Sequence, residues 1–298
     1  MSWMKFKMIY FAISLLFIGI GIYSLTSWGL RVGIDFTGGA LVEYKFGREI
    51  STESALKKTQ DLGIKVSSIQ ETGDKTYLFK LGSLESVDRE KIKNALKEDS
   101  EGNIEEIKFE NVGPSVGKDL IKKTTYAIGV ASVGILLWIA YQFKSIKYGA
   151  CAILAMFHDS LVLIGLFSLL GKVFGAEVDF LFVTALLTTL SFSVHDTIVV
   201  YDRIREAQKK YSDDLVSLAN KALSETMVRS LNNSFTIIFM LVALILFGGV
   251  TIRWFAVALL IGTISGTYSS PFVAVPLLIT WDSLFNKFKN KFRKHRLY

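Results

Sequence analysis

Charge and apolarity are segregated along this chain. Six stretches are apolar and long enough to cross a hydrocarbon core: Met8–Leu25, Thr124–Phe143, Gly149–Leu170, Phe180–Tyr201, Ser234–Gly249 and Trp254–Ile279. A bilayer core takes about 20 apolar residues of helix, and in lipid only helices and closed barrels satisfy their own backbone. The period-2 alternation of barrel strands, at a spacing of ~10 residues, is missing. The windows therefore predict six transmembrane helices. The first follows Lys5 and Lys7 as the apolar part of a signal peptide would. Its continuation, Ser24-Leu25-Thr26-Ser27-Trp28, has no Ala-x-Ala-like cleavage site, so an uncleaved anchor is predicted.

Between the first and second windows the pattern changes. Leu41–Phe46 partly alternates and is rich in β-branched and aromatic residues, predicting a strand. Ser51 is a plausible N-cap for a helix through Leu62, with Ala55, Leu56 and Leu62 on its apolar side. Strands follow at Val66–Glu71 and Thr76–Leu81 around a Gly73-Asp74 turn. A second helix runs from Val87 to Leu96 with Val87, Ile92 and Leu96 buried, and Asn103–Val112 closes as a last strand. The order βαββαβ is that of a ferredoxin-like domain. The predicted fold is an α-helical polytopic membrane protein of six transmembrane helices, with an inserted α+β ferredoxin-like extracytoplasmic domain. Its divisions are 1–30 (N-terminus and first helix), 31–123 (extracytoplasmic domain), 124–281 (five-helix bundle with a cytoplasmic loop at 202–232) and 282–298 (basic cytoplasmic tail). The inserted domain has no histidine and only scattered carboxylates, which suits a binding module.

Composition and charge orient this arrangement. Apolar residues make up 51% of the 298 and charged residues 20%. With six helices both termini share one side. That side holds 16 basic residues, in the N-terminus, the 144–147 turn, the 202–232 segment and the tail; the opposite short connections hold two, Lys172 and Arg253. Basic residues mark the cytoplasmic side, so both termini are predicted cytoplasmic and residues 31–123 extracytoplasmic. The inserted segment carries 16 basic and 17 acidic residues, so the formal net charge of +7 arises on the inner face. The basic tail then suits anionic lipid headgroups, and a nucleic-acid role is not expected. The single cysteine, Cys151, lies in an apolar helix, so disulfides are not expected in the exported domain.

Gly113-Pro-Ser-Val-Gly117-Lys118-Asp119 has one residue too few between its glycines for a phosphate loop, and no Ser/Thr follows the lysine. A turn into the second helix is predicted instead, with no nucleotide, metal or other cofactor and no enzymatic activity. Gly33-Ile34-Asp35-Phe36-Thr37-Gly38-Gly39 is more distinctive: paired glycines permit a sharp turn, and Asp35 can bond nearby amides. Ionisable groups inside apolar helices are costly and usually functional. They are His158 and Asp159 in the third window and His195 and Asp196 in the fourth, with Arg229 just before the fifth. Thr189, Ser193 and Asp196 form one polar stripe at i, i+4 and i+7, and Arg229, Asn233 and Thr236 repeat that spacing. The two stripes are complementary in charge and are expected to pair inside the bundle. Asp196 then becomes a candidate for proton uptake and release, while the Thr and Ser residues are expected to act as packing glue. Ala258, Gly262, Gly266 and Ser270 recur every fourth residue in the last window, a small-residue face for close helix approach, either within the bundle or to a partner subunit.

Several of these motifs resemble the SecF family: Gly33–Gly39 after a single anchor helix, His158-Asp159, the run from Ser193 to Glu206, Arg229 with Asn232-Asn233-Ser234, and Gly266-Thr-Tyr-Ser-Ser270. SecF is the smaller half of the SecD/SecF protein-export complex, which is related to the RND transporters, and the resemblance spans nearly the whole chain. It implies a six-helix bundle paired with a SecD-like subunit, assisting preproteins through the SecYEG/SecA machinery on proton flow. It also implies proton-path positions at Asp196 and Arg229, with His195, His158 and Asp159 as further candidates, and an outer domain that contacts the emerging preprotein. The family usually has Asn where this chain has His195. The competing expectations are an RND-type proton-coupled exporter of small molecules or lipids, and a structural scaffold that would have no use for Asp196.

Overall fold

Strand and helix periodicities meet in separate parts of the chain. A computed structural model describes residues 2–82, 84, 86–97 and 103–294. In chain order the elements are α1 (Lys7–Trp28), α2 (Ile34–Thr37), β1 (Gly39–Phe46), α3 (Thr52–Asp61), β2 (Val66–Gly73), β3 (Thr76–Leu81), α4 (Ser86–Lys97), β4 (Ile104–Val112), α5 (Pro114–Phe143), α6 (Ile146–Phe174), α7 (Phe180–Lys210), α8 (Leu215–Phe247), α9 (Val250–Ser269), a π-helical turn (Ser270–Ala274) and α10 (Val275–Lys294). They divide into two compact units. One comprises Val32–Ala127 with Glu177–Phe180, and the other is built from the long helices.

The smaller unit is a four-stranded antiparallel sheet in the order β2-β3-β1-β4. Successive strand residues point to opposite faces, so Ala40, Val42, Tyr44 and Phe46 of β1 share one face with Tyr77, Phe79 and Leu81 of β3. All are buried, as are Ala55 of α3 and Ile92 and Leu96 of α4. Ser51 caps α3 by accepting from the Ser54 amide at 3.4 Å. Two local expectations change. Leu62 is exposed, and the inward face of α3 is Ala55 with Thr59, whose hydroxyl folds back to the Ala55 carbonyl. The β2–β3 turn is Asp74-Lys75, because Gly73 stays paired with Thr76 and Lys75 takes the positive φ of 55°. The Val87 side chain lies outside the described residues.

Among the described residues, six helical spans are long and apolar enough to cross a membrane: Trp3–Trp28, Ser115–Phe143, Ile146–Phe174, Phe180–Lys210, Leu215–Phe247 and Val250–Phe285. Small residues set their closest approach. A Cβ on Gly165 of α6 would fall 2.3 Å from the Gly21 Cα of α1, so the two backbones touch there. Ser24 and Ser168 hydrogen-bond at 2.9 Å nearby. The expected 202–232 loop is instead helical except for residues 211–214. Hydropathy sees only the apolar part of a helix; beyond it α7 continues on Asp202–Arg205 and Arg203–Glu206 pairs at i, i+3, and Asp214 restarts the helix by capping Val216 and Ser217. Pro271, which has no N–H, falls in the π turn that joins α9 to α10. The tail is helical to Lys294; residues 295–298, and the side chains from 286 onward that include its basic cluster, lie outside the described residues.

Candidate polar site in the bundle

Asp159 stands near the middle of α6 and is fully buried. Alone in an apolar helix its carboxylate would be prohibitively placed, and the neighbouring helices supply its partners. Ser193 of α7 donates to Oδ2 at 2.5 Å, Ser269 of α9 to Oδ2 at 2.5 Å, and Ser265 of α9 to Oδ1 at 2.5 Å. His158 Nδ1 lies 3.0 Å from Oδ1. Three helices thus converge on one carboxylate.

Asp196 lies 7% exposed on α7 and has a different neighbour. Ser230 of α8 sits 2.8 Å from both of its oxygens. Thr197 and Ser270 hydrogen-bond at 3.0 Å, and Ser270 also donates to the Gly266 carbonyl at 3.0 Å, so the start of the π turn is held against α7 between the two aspartates. Tyr201 donates to the Ala274 carbonyl at 2.8 Å, engaging the turn's last carbonyl.

The sequence stripes divide between these neighbours. Thr189 faces Gly262, where an added Cβ would fall 2.1 Å from its Oγ1, and Gly266 packs on Phe192 and Ser193. The small-residue face of α9 therefore meets α7 within this chain, with Ala258 and Ser270 fully buried. Ser193 serves Asp159, and Asp196 serves Ser230. Arg229, Asn233 and Thr236 lie on an exposed face of α8, and among the described residues no ion pair joins Arg229 to Asp196. Spacing places residues on a common face; it does not say which neighbour that face meets. Arg229 instead lines a cleft of about 450 Å³ with Asp202, Arg203, Glu206 and Glu225, in which Arg203 pairs with both glutamates. His195, rotated about 100° from Asp196 by the helical period, is exposed. The two His-Asp pairs do not combine, and no group of three or more His, Cys, Asp or Glu able to hold a metal occurs among the described residues.

The Gly33–Gly39 motif forms a corner of the smaller unit. Gly33 donates to the Val178 carbonyl at 2.9 Å, and the Asp35 carboxylate accepts from the Phe180 amide at 2.9 Å, satisfying one of the open N–H groups at the start of α7. Phe36 is buried, and Thr37 folds its hydroxyl to the Gly33 carbonyl at 3.1 Å. Gly38 has φ 76° and Gly39 φ 149°, where a Cβ would fall 2.6 Å from the Leu81 carbonyl. Gly117, in the first turn of α5, packs on the Phe36 carbonyl, which explains the second glycine of the phosphate-loop lookalike.

Ser230 and Ser265 were not singled out by sequence, and Ser269 entered only as part of the Gly266–Ser270 motif. Ser265 and Ser269 stand at i, i+4 beside Gly262 and Gly266, a visible polar edge on the small-residue face.

The family described as protein export membrane protein SecD/SecF, C-terminal, matches residues 91–284. The chain is 44% identical to protein translocase subunit SecF of Thermobaculum terrenum, over 94% of this chain and 93% of that one. It is 38% identical to the SecF subunit of Anaerolinea thermophila, over 97% and 96%. With protein translocase subunit SecDF of Bacillus subtilis the identity is 32%, over 88% of this chain and 35% of the relative. Among solved structures, SecDF from Thermus thermophilus, described as a translocon-associated membrane protein, matches with a TM-score of 0.83 at 29% identity, over 95% of this chain and 39% of that one. The chain thus spans about two-fifths of the SecDF chains of known structure that it matches.

Proposed function

The chain belongs to the SecF family, and from that premise we propose that it works as one half of a proton-driven membrane complex with a SecD-like subunit, assisting preproteins through the SecYEG/SecA channel. It is a multi-pass protein of the bacterial inner membrane with a role in protein translocation, as the names of its relatives indicate. Export of small molecules or lipids is not favoured, since the curated relatives it matches are named as protein translocase subunits.

The observation that carries the two-subunit reading is the polar face of α8. Arg229, Asn233 and Thr236 are exposed where the polar part of α8 passes into its apolar part, on a span long and apolar enough to cross a membrane. Charged and amide groups seldom face lipid, so this stripe calls for a protein partner. The existence of a SecDF relative in which the matched part is 35% of one chain supports the same partner. Asp196 sits one helix inward of that face, held by the hydroxyls of Ser230 and Ser270, where a carboxylate keeps room to take and release a proton. Arg229 and His195 border the same region, and His158 with Asp159 form a second ionisable pair deeper in the bundle. Gly262, Gly266 and Ser270 keep α9 close enough to α7 to hold this arrangement.

The basic asymmetry supports cytoplasmic termini, with residues 31–123 outside and the tail at anionic lipid. The βαββαβ order and the β2-β3-β1-β4 sheet support a ferredoxin-like outer domain that contacts preprotein. The subunit is an accessory of translocation and carries no phosphate-loop sequence. Cross-linking tests the pairing: with Cys151 replaced by Ser, a Thr236→Cys variant is expected to cross-link to the SecD-like subunit in native membranes. Full gradient-driven export by this chain with the core translocon, without that subunit, would overturn the proposal.

A further inference from the structure

A cavity of about 170 Å³ lies among Phe17 of α1, His158, Val162 and Leu166 of α6, and Ile261 and Ile264 of α9. An apolar cavity of about 150 Å³ holds one benzene ring, so this one accepts a single ring or the end of an acyl chain. Phe17 and Ile264 are exposed, which puts the mouth at the outer surface of the bundle, on spans that lie in lipid.

One polar atom in the wall is unfilled. The Ser265 hydroxyl is spent on Asp159, and the Tyr268 hydroxyl donates to the Tyr10 carbonyl at 2.8 Å. The His158 side chain is 7% exposed, and its Nε2 is buried with no hydrogen-bond partner among the described residues. Its tautomer follows from its other nitrogen. Asp159 already accepts three seryl protons, so as a carboxylate it accepts from Nδ1–H as well, leaving a lone pair on Nε2. The cavity therefore pairs an apolar wall with a single hydrogen-bond acceptor.

We infer that this cavity is a binding site for a hydroxylated apolar molecule drawn from the bilayer, whose ring or chain end fills the space between α1, α6 and α9 while its hydroxyl donates to His158 Nε2. The assignment stands on the cavity itself and does not rest on the proton-driven reading. Because the same imidazole holds Asp159, occupancy is linked to the hydroxyl network around that carboxylate.

The test uses the full chain in phospholipid nanodiscs and two photoreactive probes, a para-alkyl phenol bearing a diazirine and its methyl ether. The probes share the ring, chain and diazirine but differ in the donor, and labelling is compared at equal probe content of the nanodisc. The phenol is expected to label the Val162–Leu166 and Ile261–Ile264 segments about fivefold more than the ether, the scale of one hydrogen bond. His158→Phe is expected to abolish that preference. Ile264→Trp, which fills the mouth and leaves the His158–Asp159 pair intact, is expected to reduce labelling by both probes and guards against misfolding of the first variant. Equal labelling by phenol and ether in the unaltered chain would overturn the assignment. So would labelling as strong at the exposed Val130 of α5 and Phe239 of α8 as in the cavity.

Discussion

Asp159 and Asp196 are both carboxylates drawn into apolar helices, yet their surroundings differ in kind. An ionised carboxylate offers about four acceptor positions. Asp159 has a partner at each: His158 and Ser265 on one oxygen, Ser193 and Ser269 on the other. Asp196 is met by the hydroxyl of Ser230, shared between its oxygens, with the Ser270 hydroxyl as its second partner. A carboxylate saturated by donors from α7 and α9 ties helices together, and protonating it would place a hydrogen on a position that a donor already fills. A carboxylate with acceptor positions to spare, one helix from an exposed cationic face, is free to change charge at small structural cost. Under the proposed function, Asp159 holds the bundle and Asp196 switches it.

The largest expected effect separates the two on stability. Hydrogen bonds between membrane helices contribute roughly 0.6–1.7 kcal/mol each, so Asp159→Leu, which removes three seryl bonds, is expected to cost about 2–5 kcal/mol. Asp196→Leu, losing the Ser230 and Ser270 partners, is expected to cost about 1–3 kcal/mol by the same scale. Thermal melting of the purified subunit decides, and equal losses would erase the distinction. Next in size is Gly262→Ala. The new Cβ would fall 2.1 Å from Thr189 Oγ1 and 2.8 Å from its Cβ, so rotation of the threonine does not relieve the clash. Overpacking of this kind costs about 1–3 kcal/mol, and Thr189→Ala is expected to restore part of it. Unchanged melting of the single variant would show that α9 does not depend on that approach to α7. Smaller still is Ser269→Ala, expected to lower stability by about 1 kcal/mol, within the range for one interhelical bond. Asp196→Asn, which keeps the side-chain shape and an acceptor for Ser230, is expected to change the melting point least of all.

How much of this was legible in the sequence depended on which interactions are local. The spans were, because crossing a bilayer demands length and apolarity at every position. So were the strands and helices of the smaller unit, where Ser51 caps its own helix and Val42, Tyr44 and Phe46 alternate. Helix length beyond the membrane was not: Asp202 to Lys210 and Leu215 to Asn232 are polar enough to pass for a loop, though paired charges and the Asp214 cap keep them helical. Partners were the least visible. Asp196 and Arg229 carry complementary charge at matching spacing, yet the hydroxyl beside Asp196 belongs to Ser230, the residue next to Arg229. The role of Ser265 and Ser269 was hidden because it exists only when α9 meets α6. Gly21 and Gly165 become a contact only once two helices, distant in sequence, cross.

The proposed switch is tested most directly by preprotein export into inverted membrane vesicles, measured with and without a proton gradient, at equal levels of assembled complex. Asp196→Asn is expected to assemble, to retain the gradient-independent export, and to lose the stimulation that the gradient adds. Full gradient-dependent stimulation in that variant would contradict the account and leave Asp196 a structural residue like Asp159.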